Sequence, residues 1–386
     1  ALNIYQSGLT SKFSRTNDMT TPTQDEIKPT SNPATAHKSY TALLPALRLP
    51  DNTQEVIWSQ LYGNSYGLVI AEAIQQHPGI ILVIADSMRT ATKMQEETRF
   101  FCKSPIPVMI FPDLETLPYD LYSPHEDIIS NRLSLLRELN QESHGVLIVT
   151  INSLLQYMAP TNYVRANSML LEPGQQLDTV KLRESLIDSG YCHVTEVLEH
   201  GEFAVRGSII DLYPMGNERP FRIDLFDNEI ESIRIFDPES QRSLEKTSSI
   251  NLLPAHEFPL NKDSISSFRT RYRQRFEGNP NDQPLYRDIS QGLTPAGIEY
   301  YLPLFFNKLA TIFDYLPNTL LVLREQDCFN QCEQFLHQVE QRYEQRRYDT
   351  ERPILKPDEL YFGLDRLKSW LGKLPKVILQ RFEDIP

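Results

Sequence analysis

The chain has 386 residues, of which 40% are hydrophobic and 23% are charged, and its formal net charge is −13. The length predicts two or three globular domains, and the composition is that of an ordinary globular protein. The negative charge argues against an autonomous nucleic-acid-binding protein, because phosphate contacts need a concentrated basic surface.

The cysteines and the apolar runs narrow the class further. Cysteine occurs only four times, too scattered for a disulfide framework or a four-ligand zinc site, at Cys102, Cys192, Cys328 and Cys332. This usage favours reduced thiols in a cytoplasmic protein. No apolar run reaches the length of a membrane span, and no signal peptide is visible, so no membrane partner is expected.

The first 40 residues are rich in Thr, Ser, Pro and Asn and have little aliphatic periodicity. Such a segment buries too little apolar surface to offset the entropy of ordering it, which predicts a disordered tail. Asp25 and Glu26 look like the acidic pair of a helicase, but no apolar strand precedes them. We therefore do not interpret them as catalytic.

From residue 41 onward, apolar runs alternate with amphipathic helices. The predicted elements are a helix from Leu68 to Gln76, a strand from Ile80 to Ala85, a helix from Met88 to Phe101, and strands from Val108 to Phe111 and Val146 to Thr150. This alternation predicts a parallel sheet covered on both faces, that is, an α/β fold.

A helix is predicted to begin at Ser123-Pro124, with Glu126 and Asp127 in its first turn. Together with His125, these carboxylates could suggest acid–base chemistry. Acids are also favoured at this position by the helix dipole, and no nucleophile or metal ligand accompanies them. We interpret them as helix-start residues and predict no catalytic residue and no metal site.

From about Ala159 the pattern changes to that of a small inserted α+β domain. It consists of a helix near Thr179 to Ser189 and then an antiparallel meander. Its predicted strands run from Phe203 to Tyr213, from Phe221 to Phe226, and from a tight turn at Asp227-Asn228 to Phe236.

Alternation in the second strand places Phe221, Ile223 and Leu225 on the core face and Arg222, Asp224 and Phe226 on the other face. In the first strand, Arg206 stands between the small residues Ala204 and Ser208. If the faces align, Arg206, Arg222 and Phe226 share one exposed patch, and these residue types supply most of the energy at protein interfaces. In the alternative interpretation, Phe226 caps the meander's own core, and both arginines pair with neighbouring acids such as Asp224 and Glu229.

After residue 250 the α/β pattern returns. A strand from Thr319 to Leu323, a helix from Cys328 to Tyr343 and a strand from Val377 to Leu379 are expected to complete the first sheet. The predicted limits are therefore 41–157 and 251–386 for a split α/β domain and 158–250 for the insertion. A further helix, from Ser264 to Phe276, carries an arginine at every second position, which spreads the charges around the helix and favours a solvated surface over a phosphate track.

Two motifs carry a family resemblance: EHGEFAVRGSIIDLYPMG at residues 199–216 and RIDLFDNEIESIRIFDPESQR at residues 222–242. They resemble the second domain of the bacterial transcription-repair coupling factors (Mfd), which is shared with the excision-repair protein UvrB and is its docking surface for UvrA. The resemblance extends from about Leu47 to the C-terminus. It implies a RecA/UvrB-like parallel-sheet domain and identifies Arg206, Arg222 and Phe226 as UvrA contacts.

The resemblance also implies that the nucleotide site is degenerate. UvrB has a phosphate-binding Walker A loop, G-x-x-x-x-G-K-[ST], where this chain has LYGNSYGLVI at residues 61–70. Tyr66 stands about where the lysine belongs, and Gly67 about where a Ser or Thr binds magnesium. Gly63 and Gly67 are then expected to serve a tight turn before the helix. Weak nucleotide binding stays an alternative, but we predict no resident cofactor and no hydrolysis here. The segment from Phe111 to Ile128 also lacks the tyrosine cluster of UvrB's DNA-threading hairpin.

The function implied is that of a UvrA-recruiting module, in which ATP, Mg²⁺, DNA and stalled RNA polymerase are bound by other regions of the longer protein. The family also implies an intramolecular contact with the C-terminal domain that masks the patch. One departure from the family is Cys192, where relatives often carry Arg. The alternatives are an active ATP-dependent helicase or nuclease subunit and a damaged-DNA-binding module.

Overall fold

A computed structural model of the chain describes residues 47–139, 141–318 and 320–381. The predicted tail, including Asp25 and Glu26, lies outside these residues. Within the described ranges, no helix is both long enough and apolar enough to cross a bilayer.

The first part of the chain forms alternating strands and helices, as predicted. Ile80–Ala85 and Gly145–Thr150 are buried along their whole length, which is why they read as continuous apolar runs. In order, the elements are β1 Glu55–Trp58, α1 Ser65–Gln76, β2 Ile80–Ala85, α2 Met88–Phe101, β3 Val108–Ile110, α3 Glu126–Leu139, β4 Gly145–Thr150 and α4 Ile151–Leu155.

The inserted part contains the antiparallel meander. Its sheet has the order β11-β10-β9-β8-β7-β6. A separate antiparallel pair, β5 and β12, connects the first and the last strand of the inserted segment. In order, the elements are α5 Thr161–Ala166, β5 Met169–Leu171, α6 Thr179–Asp188, β6 Cys192–His193, β7 Glu202–Arg206, β8 Ile209–Leu212, β9 Phe221–Phe226, β10 Glu229–Phe236, β11 Ser243–Thr247 and β12 Ile250–Leu252.

The last part returns to the parallel sheet. Besides two 3-10 helices, Pro280–Asp282 and Ile298–Leu304, it contains α7 Lys262–Arg275, α8 Pro284–Ser290, α9 Ile312–Tyr315, β13 Leu320–Glu325, α10 Cys328–Arg346, α11 Pro357–Leu360, α12 Leu364–Leu371 and β14 Lys376–Leu379. The sheet order β1-β14-β13-β2-β4-β3 places the two late strands between β1 and β2, with every pairing parallel. The predicted split α/β fold is therefore confirmed, while the limits given for each domain remain predictions.

One predicted element was wrong. The run from Phe203 to Tyr213 is a hairpin of β7 and β8 rather than a single strand. Gly207 has φ +62°, a conformation that glycine adopts without strain, and it forms the turn with Ser208. Ser208 therefore does not continue the face of Arg206.

The insertion is fastened to α3 by polar contacts. The backbone N–H of Gly216 donates to the Ser130 hydroxyl at 2.8 Å, and Arg137 donates to the Asn251 side chain at 2.8 Å. The His200 ring lies 2.7 Å from the Asp127 carboxylate. Glu126 and Asp127 lie in the first turn of α3, where the sequence placed them, and the Asp127 carboxylate contacts the insertion.

Candidate partner-binding surface

Strand β9 presents a phenylalanine to solvent. Phe221, Ile223 and Leu225 are buried, whereas the Phe226 side chain on the opposite face is 69% exposed. The alternation predicted for this strand is confirmed. The alternative interpretation, in which Phe226 caps the meander's core, is wrong.

Phe226 and Arg206 lie at the same end of the sheet. Phe226 ends β9 at a tight turn formed by Asp227 and Asn228, whose φ angles are +45° and +69°. Arg206 ends β7 at the turn to β8. Because β7–β8 and β9–β10 are successive hairpins of one antiparallel sheet, their turns lie at the same end of the sheet. The register places Arg206 opposite Ile209, which in turn lies opposite Asp224 on the face of Phe226.

Both arginines bind one buried carboxylate, that of Asp211 on β8. Arg222 donates from Nε to Oδ1 at 2.7 Å and from Nη2 to Oδ2 at 3.0 Å, and Arg206 also donates to Oδ2. Asp211 is 0% exposed, and its hydrogen bond to Arg222 raises the pKa of that guanidinium above its usual value. The two guanidinium groups therefore lie on the same side of the sheet and converge on one anion.

The two arginines differ in exposure. The Arg206 side chain is 50% exposed, but that of Arg222 is only 15% exposed. Arg222 also donates from Nη1 to the Gln241 carbonyl and to the Ser243 hydroxyl, each at 3.1 Å, and it stacks over the Phe236 ring at 5.0 Å. The expectation that both arginines belong to one exposed patch is thus corrected: Arg206 and Phe226 face solvent, whereas Arg222 is mostly covered.

Sequence reasoning missed Asp211. It proposed Asp224 and Glu229 as acidic partners, but Asp224 instead accepts from Ser232 at 2.8 Å and pairs with Arg234 at 3.7 Å. Asp211 is an acid within an otherwise apolar strand, Ile209–Leu212, and such a residue needs a cation when buried. The sequence therefore indicated that Asp211 needs a cation, but it did not show that β8 pairs with β9, which carries Arg222.

Cys192 lies on the edge strand β6, exposed and opposite Glu202. It places a small neutral thiol on the same face of the sheet as Arg206. The surface therefore has no cation at this position, as the sequence indicated.

In the segment 61–70, a phenol lies among charged groups. Tyr66 is buried at the start of α1, with the Arg381 guanidinium 5.8 Å from its ring, and Arg381 lies 3.9 Å from Glu325. Burial raises the pKa of Tyr66, with Arg381 and Glu325 as weaker influences. The phenol itself offers no positive charge to a triphosphate, and the adjacent Arg381 is paired with Glu325.

The two glycines of this segment have different roles. Gly63, with φ +60°, forms the turn before α1, as expected. Gly67 lies inside α1, where an added Cβ would come within 2.2 Å of the Glu97 Cβ on α2. The expectation that Gly67 serves the turn is therefore wrong: it allows two helices to pack closely.

In the described part of the chain, no group of three or more His, Cys, Asp or Glu side chains is arranged to hold a metal ion. Glu126, at the start of α3, has a pKa raised to about 7 by burial. Among the described residues, the exposed Phe226 and Arg206 make the outer face of the meander the candidate site.

Comparison with known proteins also points to the inserted domain that contains the meander. A family model described as the UvrB interaction domain matches residues 169–258. The chain is 42% identical to the transcription-repair-coupling factor of Escherichia coli (strain K12) over 328 residues, 85% of the chain and 28% of the relative. For Haemophilus influenzae the identity is 41% over 334 residues, 86% of the chain and 29% of the relative. The chain thus spans less than a third of the length of these relatives.

Proposed function

This chain corresponds to one part of the bacterial transcription-repair-coupling factors and contains a UvrB interaction domain, and on that premise we propose that it recruits UvrA to sites of blocked transcription. The observation that carries the proposal is that the exposed Phe226 and Arg206 share one face and one end of the meander, inside the matched residues. This recruitment takes place in the cytoplasm.

The chemistry of the surface suits a protein partner. Moving the exposed Phe226 ring from water into an apolar pocket lowers the free energy, since aromatic side chains bury a large area on binding. Arg206 supplies a planar donor fork for carboxylate or carbonyl groups of the partner. Asp211 fixes the position of Arg206 in advance, so less side-chain entropy is lost on binding.

We assign the other activities to regions of the longer relatives that this chain does not span. Those regions bind RNA polymerase and DNA and use ATP and Mg²⁺ for translocation. The chain itself binds no nucleotide, because Tyr66 and Gly67 replace the lysine and the magnesium ligand. A titration with Mg-ATP to millimolar concentration is expected to show no saturable binding, whereas an active helicase subunit would saturate in that range.

Binding of purified UvrA tests the proposal. Arg206→Ala and Phe226→Ala are each expected to weaken binding at least tenfold, since truncation of an interface anchor costs about 2 kcal/mol or more. The thermal melt of Phe226→Ala should stay unchanged, because that side chain is largely solvated. Arg206→Ala should lower the midpoint slightly, because half-exposed Arg206 pairs with buried Asp211, although Arg222 keeps that carboxylate paired. Arg222→Ala is expected to weaken binding and to lower the melting temperature, since that side chain is mostly covered.

Matched controls exist elsewhere on the surface. Phe100→Ala removes an equally exposed ring from α2, and Arg219→Ala removes a half-exposed arginine paired with Glu245. Both variants should bind UvrA like the unmodified chain. Wild-type affinity of Phe226→Ala, or equal losses in the control variants, would refute the assignment.

We further propose that the rest of the longer protein masks this surface, as the exposed ring suggests. The isolated chain should then bind UvrA more tightly than the full-length protein does. Equal affinity of the two would contradict the masking.

A further inference from the structure

A basic groove lies on the parallel-sheet part of the molecule, formed by elements that the meander does not contain. We define it by the cations Arg275, Lys308 and Arg366 and by the walls Phe306 and Leu309. Its cavity has a volume of about 320 Å³. The same loop, Phe306–Leu309, also lines a second cavity of about 610 Å³ that includes residues of α5.

The cations of the basic groove are held in place before any ligand arrives. The Arg366 guanidinium packs 4.6 Å from the Trp370 ring centroid, and its Nη1 donates to the Tyr157 hydroxyl at 2.7 Å. Arg275 donates to Glu359 at 2.5 Å. Two of the three cations therefore lose little side-chain freedom on binding an anion.

The charges of the basic groove do not cancel. Glu359 is the one carboxylate among its lining residues, and it is engaged by Arg275. Lys308 is exposed and has no carboxylate within 4.0 Å among the described residues. On a chain with net charge −13, this is a local positive region that attracts anionic groups.

The apolar walls of the basic groove favour an acidic protein segment over a nucleic acid as its anionic ligand. Three cations give only a weak hold on a nucleic-acid backbone, whose affinity depends on releasing many counterions. Stacking of successive bases also needs several free aromatic faces, but the lining has two rings, Phe306 and Tyr157, and Tyr157 is covered by Arg366 at 5.6 Å. Pro303, Phe306 and Leu309 instead offer apolar contact of the kind that peptide side chains use.

We propose that the basic groove binds a protein segment in which acidic residues are interspersed with large apolar ones. Its carboxylates pair with Lys308 and Arg366, and its apolar side chains pack on Phe306 and Leu309. The site is separate from the UvrA surface, so its loss leaves UvrA binding unchanged.

The test measures binding of a fluorescein-labelled nonapeptide, three repeats of Asp-Glu-Leu, to the 386-residue chain by fluorescence anisotropy. Saturable binding is expected, and the same peptide with Asn and Gln in place of Asp and Glu should bind at least tenfold more weakly. Lys308→Glu should also weaken binding at least tenfold. Lys262→Glu makes the same charge change at the far end of α7, outside the lining, and should alter binding less than twofold.

Three results would overturn the proposal. They are absence of saturable peptide binding, equal losses in Lys308→Glu and Lys262→Glu, and displacement of the peptide by a (dT)12 oligonucleotide at equal or lower concentration. The last result would assign the basic groove to nucleic acid. UvrA binding by Lys308→Glu serves as the folding control and is expected to equal that of the unmodified chain.

Discussion

At the scale of single residues, Asp211 organises the candidate surface. It is fully buried, and its two oxygens accept hydrogen bonds from both Arg206 and Arg222. Neither arginine can be considered alone, because each shares this anion with the other. The carboxylate therefore links the stability of the meander to the geometry of the groups that would meet a partner.

Asp211→Ala is expected to lower the free energy of unfolding by about 2–4 kcal/mol, since removing one partner of a buried ion pair leaves cations unpaired. The measurement is urea denaturation followed by fluorescence. Asp224→Ala is the matched control: its carboxylate is partly solvated and lies 3.7 Å from Arg234, so its loss should cost less than about 1 kcal/mol. Equal costs for the two variants would show that Asp211 has no special role.

At the scale of elements, the local sequence pattern predicted single strands and their faces, but it did not predict how the strands pair. Alternation in β9 identified the solvent side of Phe226, and the continuous apolar run identified β2, because both depend on neighbours in the chain. The hairpin at Gly207 and the bond between Asp211 and Arg222 depend on contacts between strands. A single sequence does not contain that information in its local periodicity.

The arginines of α7 combine exposure with contacts to their neighbours. Their spacing predicted a solvated surface, and Arg269, Arg273 and Arg275 are exposed. Arg271 also donates to the Leu304 carbonyl at 2.8 Å and Arg275 binds Glu359, so the helix holds the neighbouring loop and α11. These contacts follow from tertiary packing, which helical periodicity does not report.

Gly67 yields a prediction about the packing of α1 on α2. Gly67→Ala gains about 1 kcal/mol of helix propensity, but its Cβ would lie 2.2 Å from the Glu97 Cβ and 2.7 Å from the Glu97 carbonyl carbon. Backbone atoms cannot move away without shifting the helix, so overpacking of about 1–3 kcal/mol or more should outweigh the gain. The expected result is a lower thermal midpoint. Gly363→Ala, which has open space around it, should change the midpoint little, and a rise for Gly67→Ala would contradict the close approach.

At the scale of the whole molecule, the two halves of the α/β domain meet at a carboxyl group. Glu299, from the second half, accepts a hydrogen bond from the Ser123 hydroxyl of the first half at 3.0 Å. Burial raises the pKa of Glu299 to about 7, and the nearby charges of Glu126 and Glu257 add to this, while the Ser123 hydrogen bond opposes it. The folded protein therefore keeps this carboxyl protonated at a pH where the unfolded chain, with a pKa near 4.5, ionises it.

The sign of the pH dependence follows from that difference. Below pH 4.5 Glu299 is protonated in both the folded and the unfolded state and does not affect stability. Between pH 4.5 and 7 it ionises in the unfolded chain, which progressively lowers the free energy of unfolding. Above pH 7 it is ionised in both states, and this loss of stability is complete. Glu299→Gln keeps an acceptor for Ser123 without the charge. It should therefore stabilise the protein at pH 8 by about 2–3 kcal/mol, following from about 1.4 kcal/mol per pKa unit, and have no effect at pH 4. Thermal melts at the two pH values measure this, with exposed Glu142→Gln as the control, and an equal shift at both would exclude a raised pKa as the cause.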